Sequence, residues 1–200
     1  MKLVVQIVLA AVVVLLGYLL VDSIMKPIRF ERAKDVRYQA TIERLKEIRT
    51  AQEAYRSVYH KYTGNFDTLL NFLRIDSFRV VRQVGSLDDS AAVAEGRVFR
   101  DTVTVCVRDS LFKNHKYIDS LRYVPFANGA VFEMQADTLQ TGSKVTVQVF
   151  QAQVSNRVLL NGLDKQQIIN LDDLARQLDR YPGLRVGSLT EATNNAGNWE

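Results

Sequence analysis

The side chains that most readily act as nucleophiles, imidazole bases or soft metal ligands are few. His60, His115 and Cys106 are the whole supply. A zinc or copper site needs such groups clustered. Here His60 closes an amphipathic run, His115 sits in the polar stretch "FKNHKY", and Cys106 alternates with valines in "VTVCV". A nucleophilic Ser or Cys needs an activating base beside it, and neither histidine lies in a recognisable motif. Asp172 and Asp173 have the chemistry of an acid–base pair. The positive end of a helix capped by Asn170 explains them without catalysis. Asp88 and Asp89 offer oxygen ligands to calcium but lack the ordered loop spacing. Gly183 and Gly187 do not make a phosphate loop. The run "FKNHKYIDSLRY" is the nearest approach to a basic, aromatic nucleic-acid face, and a solvated loop accounts for it. The expectation is a protein that is not an enzyme, holds no cofactor or metal, and has no nucleic-acid partner.

With no chemistry concentrated in the side chains, the elements carry the argument. The chain has 200 residues, a formal net charge of +4, and ordinary apolar and charged fractions of 47% and 24%. That composition supports one globular unit beyond a membrane segment. A lone cysteine cannot close an internal disulfide, so it assigns no redox compartment.

Leu3–Val21, "LVVQIVLAAVVVLLGYLLV", has no charge. As a helix at about 1.5 Å per residue it spans ~28 Å, the thickness of a bilayer core. A secretory signal would have a shorter apolar region followed by a small-x-small cleavage site. "DSIMKP" offers none, so residues 1–25 read as an uncleaved transmembrane anchor in contact with membrane lipid.

Two signals disagree on orientation. Lys26, Arg29, Arg32, Lys34 and Arg37 follow the span, while Lys2 precedes it. The positive-inside rule then leaves the large domain in the cytoplasm. Against this stand seven Asp-Ser or Asp-Thr pairs followed by an aliphatic residue. They resemble the acceptor motif for O-glycosylation in one group of Gram-negative bacteria, with Thr68, Ser90, Thr102, Ser110, Ser120 and Thr138 as candidate acceptors. The resemblance implies export, and it favours a bacterial inner-membrane protein with its bulk in the periplasm. Turn preference of Asp-Ser and Asp-Thr is the ordinary explanation.

From Glu31 to Tyr62 there is neither Gly nor Pro. Tyr38, Ile42, Leu45, Ile48, Ala51, Tyr55, Val58, Tyr59 and Tyr62 recur at steps of three and four, the stripe of an amphipathic helix. Thr63-Gly64-Asn65 stops it. Gln52 interrupts the seam, which argues against a two-stranded coiled coil. The stripe fits a helix packed on its own domain. It also fits one whose membrane-proximal half projects as a stalk, with Tyr38, Ile42, Leu45 and Ile48 touching other subunits.

An apolar start running through Pro27 into such a helix, then "AQEAYRSVYHKYTGNFDTLLNFL", resembles type IV pilins and type II secretion pseudopilins. Tyr55, Tyr62 and Leu69 stand where those proteins carry a tyrosine, a second tyrosine and a leucine. The likeness covers the N-terminal ~75 residues. The glycine cleavage site and early glutamate of pilins have no counterpart: Gly17 lies deep in the apolar run and the first glutamate is Glu31. The resemblance implies a pilin-like shape and a role in assembly, with protein partners or copies of itself, rather than prepilin processing.

Beyond it, Phe66–Leu73 and Ser86–Glu95 read as short helices. Val103, Val105 and Val107 share one strand face. Asn128-Gly129 marks a hairpin between Leu121–Phe126 and Ala130–Ala136. After Thr141-Gly142-Ser143, Val145, Val147 and Val149 line a second face. These suggest an antiparallel meander over about 121–154, joined by the 102–108 strand. A late helix follows, with Leu171, Leu174 and Leu178 on one side, ending at Tyr181-Pro182-Gly183. The expected fold is α+β: a transmembrane anchor (1–25), an amphipathic stalk and cover helix (26–64), and a soluble domain (65–200). The expected role is a structural or assembly subunit of a bacterial envelope complex. The alternative is an anchored binding module for a small ligand, cell-wall fragment or protein.

Overall fold

The structure, a computed structural model, describes residues 1–84, 99–112, 118–142 and 144–200, with the backbone alone at 2, 79–84 and 99–102. The expected helix at Ser86–Glu95, and His115, Asp88, Asp89 and Ser90, lie outside the described residues.

Helix α1 runs unbroken over Lys2–Tyr59. Its first part is the span: one helix long and apolar enough to cross a membrane, with none of its most apolar window buried in the protein. Pro27 lies inside α1, where it removes one backbone donor from the ladder. The helix stops earlier than the stripe suggests. His60 turns left-handed, with φ 58°, and its N–H closes the last turn on the Arg56 carbonyl at 2.8 Å. Tyr62 is therefore beyond the helix, yet it stays buried, its ring tilted against that of Phe150 with centroids 4.9 Å apart.

Helix α2, Phe66–Ile75, begins where Asn65 accepts a hydrogen bond from the Asp67 N–H at 2.7 Å. It buries Phe66, Leu69, Leu70, Phe72 and Leu73. Phe72 meets Tyr55 of α1 edge-on at 5.2 Å.

Strands β1 (Ser77–Val84) and β2 (Phe99–Cys106) form an antiparallel two-stranded sheet, from Ser77 opposite Cys106 to Val84 opposite Phe99. The 102–108 strand thus pairs with β1 and does not join the later meander. Val107 leaves the strand face altogether and opens the short helix α3, Val107–Leu111.

The second sheet is β3 (Glu133–Gln140), β4 (Thr146–Ser155) and β5 (Gly183–Gly187), all antiparallel with β4 central. Asn128 and Gly129 do take left-handed backbone, φ 48° and 82°. The strands around them shrink to one bridge, Tyr123 opposite Val131, because Ile118–Arg122 winds into a 3-10 turn instead. On β4 the core takes Phe150, Ala152 and Val154. Of the expected face, Val149 is buried, Val147 half-buried and Val145 exposed, so the odd-numbered face is covered only toward the middle of the strand and is not the main inner one.

The third strand comes from the far end of the chain, with β5 running close against β4. A Cβ at Gly183 would lie 2.1 Å from the Val154 carbonyl oxygen, and one at Gly187 (φ 70°) the same distance from that of Phe150. Only glycine fits either place. The tail docks on β5 through Gly197 opposite Val186, and Asn198 accepts from the Arg185 N–H at 3.0 Å. Trp199 packs against the core.

Between β4 and β5 lie α4 (Asn156–Leu159) and α5 (Lys165–Gln177). Asp164, not Asn170, caps α5, accepting from the Gln166 and Gln167 N–H groups at 2.9 and 3.2 Å. The helix starts earlier than the leucine spacing suggests. Leu174 and Leu178 consequently point outward, and Ile168 and Asp172 point in.

Candidate functional site

The stripe on α1 is covered by the chain's own domain. Leu45 and Ile48 are 0% exposed, and Tyr38 and Ile42 are packed against the same core. Burial begins at Phe30, 6% exposed, so the helix is gripped almost as soon as the apolar span ends. Leu45 and Ile48, expected to face other subunits, are covered within the chain, whereas Tyr38 and Ile42 are half-buried against the same core. Fully buried leucine and isoleucine side chains contribute about 2 kcal/mol each by leaving water.

The polar group that the sequence did not reveal is at the membrane-proximal end of this contact. Tyr38 donates its hydroxyl to Asn156 Oδ1. Asn156 Nδ2 donates to Asp172 Oδ1 at 3.0 Å, and Arg157 Nε approaches Asp172 Oδ2 at 3.4 Å. Asn156 and Asp172 are 2% and 3% exposed. One residue earlier, Arg37 donates to the Leu159 and Asn161 carbonyls at 3.0 and 2.9 Å.

This cluster exists because the alternation of β4 ends at Ser155 and the chain turns into α4, placing Asn156 beneath Tyr38. Burial, with the Asp172 and Glu31 charges adding, pushes the Tyr38 phenol up to about 12. At neutral pH Tyr38 is a hydrogen-bond donor and not a base. Asp172 is mid-helix, so the dipole explanation for it fails. Its carboxylate is held by Asn156 and Arg157 instead. The only hint in the sequence is an Asn-Arg pair just after a strand and an Asp four residues after Ile168, on the same helical face. The arrangement can lock α1 to α4 and α5, with the Tyr38 hydroxyl, the Asn156 amide and the Asp172 carboxylate all paired within the protein, while Arg157 keeps most of its side chain exposed.

Beside the cluster, a groove of about 590 Å³ opens between Arg157, Asn161, Leu163, Lys165, Ile168 and Ile169. A second hollow of about 530 Å³ lies at the other end of the domain, between Tyr55, Tyr59, Asp67, Phe72, Ile75 and Asp76. There Tyr59 donates to Asp76 Oδ2 at 2.7 Å.

Cys106 is exposed at the end of β2, not packed as a strand hydrophobe. His60 is exposed at the end of α1. Among the described residues no group of three His, Cys, Asp or Glu side chains converges as a metal site would. Thr68, Ser110 and Thr138 are exposed. Ser120 is half-buried, and its hydroxyl accepts from Arg44 at 2.9 Å. Ser90, and the side chain of Thr102, lie outside the described residues.

Compared with protein families, with curated proteins and with solved structures, the chain finds no match. What the residues define is an N-terminal helix of membrane-crossing length and apolarity, continuous with an α+β domain.

Proposed function

We propose that the protein is a single-pass bacterial inner-membrane protein with its bulk in the periplasm, acting without catalysis as a pilin-like structural or assembly subunit of an envelope complex. One observation supports this reading above the others: the span and the domain's central helix are a single uninterrupted α1. A flexible tether would let the domain drift from the bilayer. A continuous helix gripped from Phe30 onward sets both its distance and its direction, which is what a subunit docking in fixed geometry on neighbours requires. The surface that meets those neighbours is then outside the buried stripe, and Val36, 62% exposed on α1, belongs to it.

Mild detergent extraction of the full chain followed by crosslinking and sizing tests the proposal. A stoichiometric protein partner, or a defined oligomer of the chain, is expected. A monomer carrying a bound small molecule would instead favour the anchored binding module. A reporter fused after Glu200 reads the orientation, and activity of that reporter on the cytoplasmic side overturns the periplasmic assignment.

A further inference from the structure

The groove at the α4–α5 junction is held at a definite height above the apolar span. Phe30 shares the core with Leu159, Leu160 and Ile168, and Leu163 packs against it. Arg37 ties down the Leu159 and Asn161 carbonyls. Arg37 lies about 24 Å along the helix from Val21, and because side chains on a helix lean toward its N-terminus, these carbonyls sit on the membrane side of that level. Nine residues of helix separate Val21 from Phe30, a rise of about 14 Å. The headgroup zone occupies roughly the first 5–7 Å of that. Asp164, at the groove's edge, acts on Lys26, whose ammonium is favoured first by its bond to Asp22. Lys26 lies only about 8 Å beyond Val21.

The groove has the chemistry of an interface. Leu163, Ile168 and Ile169 supply apolar walls, with Ile169 itself 46% exposed. Arg157 and Lys165 flank them with positive charge. Arg157 keeps 69% of its side chain exposed even while it approaches Asp172. Lys26 and Arg29 on α1 are exposed alongside. The acids on this side include Asp22, paired with Lys26 at 3.0 Å, Asp164, occupied in capping α5, Asp172, beside Arg157, and Glu31, paired with Lys34. Apolar tips ringed by Lys and Arg next to a membrane exit match the boundary between anionic headgroups and acyl chains.

We infer that this groove is a second membrane contact, in which Arg157 and Lys165 bind the phosphates of anionic phospholipids while Leu163 and Ile169 enter the headgroup layer. The inference rests on the proposed membrane anchor. The contact pins the domain against the leaflet beside α1, so the domain is held at two points and cannot swivel about the span.

Site-specific quenching in vesicles tests it. In the full chain with Cys106→Ser, single cysteines at Ile169→Cys, Lys61→Cys and Val14→Cys carry a fluorophore. The vesicles are phosphatidylcholine with or without phosphatidylglycerol, doped with lipids spin-labelled in the headgroup or the acyl chain. The label at position 169 is expected to lose fluorescence to headgroup quenchers in phosphatidylglycerol vesicles, to lose less in phosphatidylcholine alone, and to recover with Lys165→Glu or added salt. The label at position 61, at the far end of α1, is expected to stay bright. Quenching at 14 by acyl-chain labels with 169 as bright as 61 overturns the groove contact and leaves the anchor standing. No quenching at 14 overturns both. Equal quenching at 169 in the two vesicle types, or with Lys165→Glu, overturns the recognition of anionic lipid.

Discussion

Gln52 and Thr63 hold each other by two hydrogen bonds. Gln52 Nε2 donates to the Thr63 carbonyl at 2.6 Å, and the Thr63 N–H donates to Gln52 Oε1 at 3.2 Å. Gln52 is 0% exposed, in the middle of the apolar face of α1. The residue that breaks the seam in the sequence serves as the backbone partner for the chain just past the helix end. It meets the requirement that buried polar groups be paired.

Replacing it with an apolar residue of similar size should therefore destabilise the protein. Gln52→Leu leaves the half-buried N–H and carbonyl of Thr63 without their side-chain partner, a cost of about 1 kcal/mol. The urea midpoint of the full chain in detergent should fall accordingly. No change would mean that Thr63 is hydrated.

Asn156 should behave as a linchpin. Asn156→Leu strips a partner from both the Tyr38 hydroxyl and the Asp172 carboxylate, and should cost about 3 kcal/mol. Combining it with Tyr38→Phe should cost less than the sum of the two single changes, because the same bond is lost only once. Additive losses would show that the pair is uncoupled.

Alkaline pH should weaken the fold. The Tyr38 phenol lies at about 12 in the folded chain against an ordinary 10.0. The unfolded chain then loses this proton first, so the contribution is complete below pH 10 and is lost as pH rises to 12. The loss is on the order of 2 kcal/mol. Tyr59 is raised by its bond to Asp76 and Tyr181 by burial, and both act in the same sense. The difference between wild type and Tyr38→Phe in unfolding across this window isolates Tyr38. An identical pH slope for the two proteins would contradict it.

Charges placed on the buried stripe should unfold the domain rather than release a partner. Leu45→Asp or Ile48→Asp buries an unpaired carboxylate and should cost more than about 4 kcal/mol. Val36→Asp, on the exposed side of the same helix, should leave far-ultraviolet circular dichroism and protease resistance intact. Folded Leu45→Asp protein with altered assembly would restore the intersubunit reading of the stripe.

The single tryptophan reports on the tail. A Cβ at Gly197 would meet the Trp199 ring at 2.4 Å, so Gly197→Ala should push the ring toward water. The emission maximum should move to longer wavelength with a stability loss under about 1 kcal/mol. An unmoved maximum would show that the ring finds room where it is.

Much of the architecture was legible because it depends on local rules. Nineteen uncharged residues at Leu3–Val21 specify a span by length alone. The three-and-four spacing from Tyr38 to Tyr55 specifies a helix with one buried face. The Phe66–Leu73 run reads as a short helix and becomes α2, and Asn128-Gly129 takes the left-handed turn that its residues favour. What failed were partnerships. The 102–108 strand has no local reason to choose β1 over the meander, and "GLRVG" at 183–187 is too short and glycine-rich to announce itself as the strand that completes a sheet.

The sequence by itself therefore determined the anchor, the long helix and the mixed α+β class, since hydrophobic length and periodicity act within a few residues. Only the tertiary structure decided what covers Leu45 and Ile48, which β4 face turns inward, and that Tyr38 meets Asn156 across 118 positions of chain and Asn156 meets Asp172 across 16 more. Those outcomes depend on what else is nearby when water is excluded. A periodic pattern states that a face must be buried, and the folded chain alone supplies the surface that buries it.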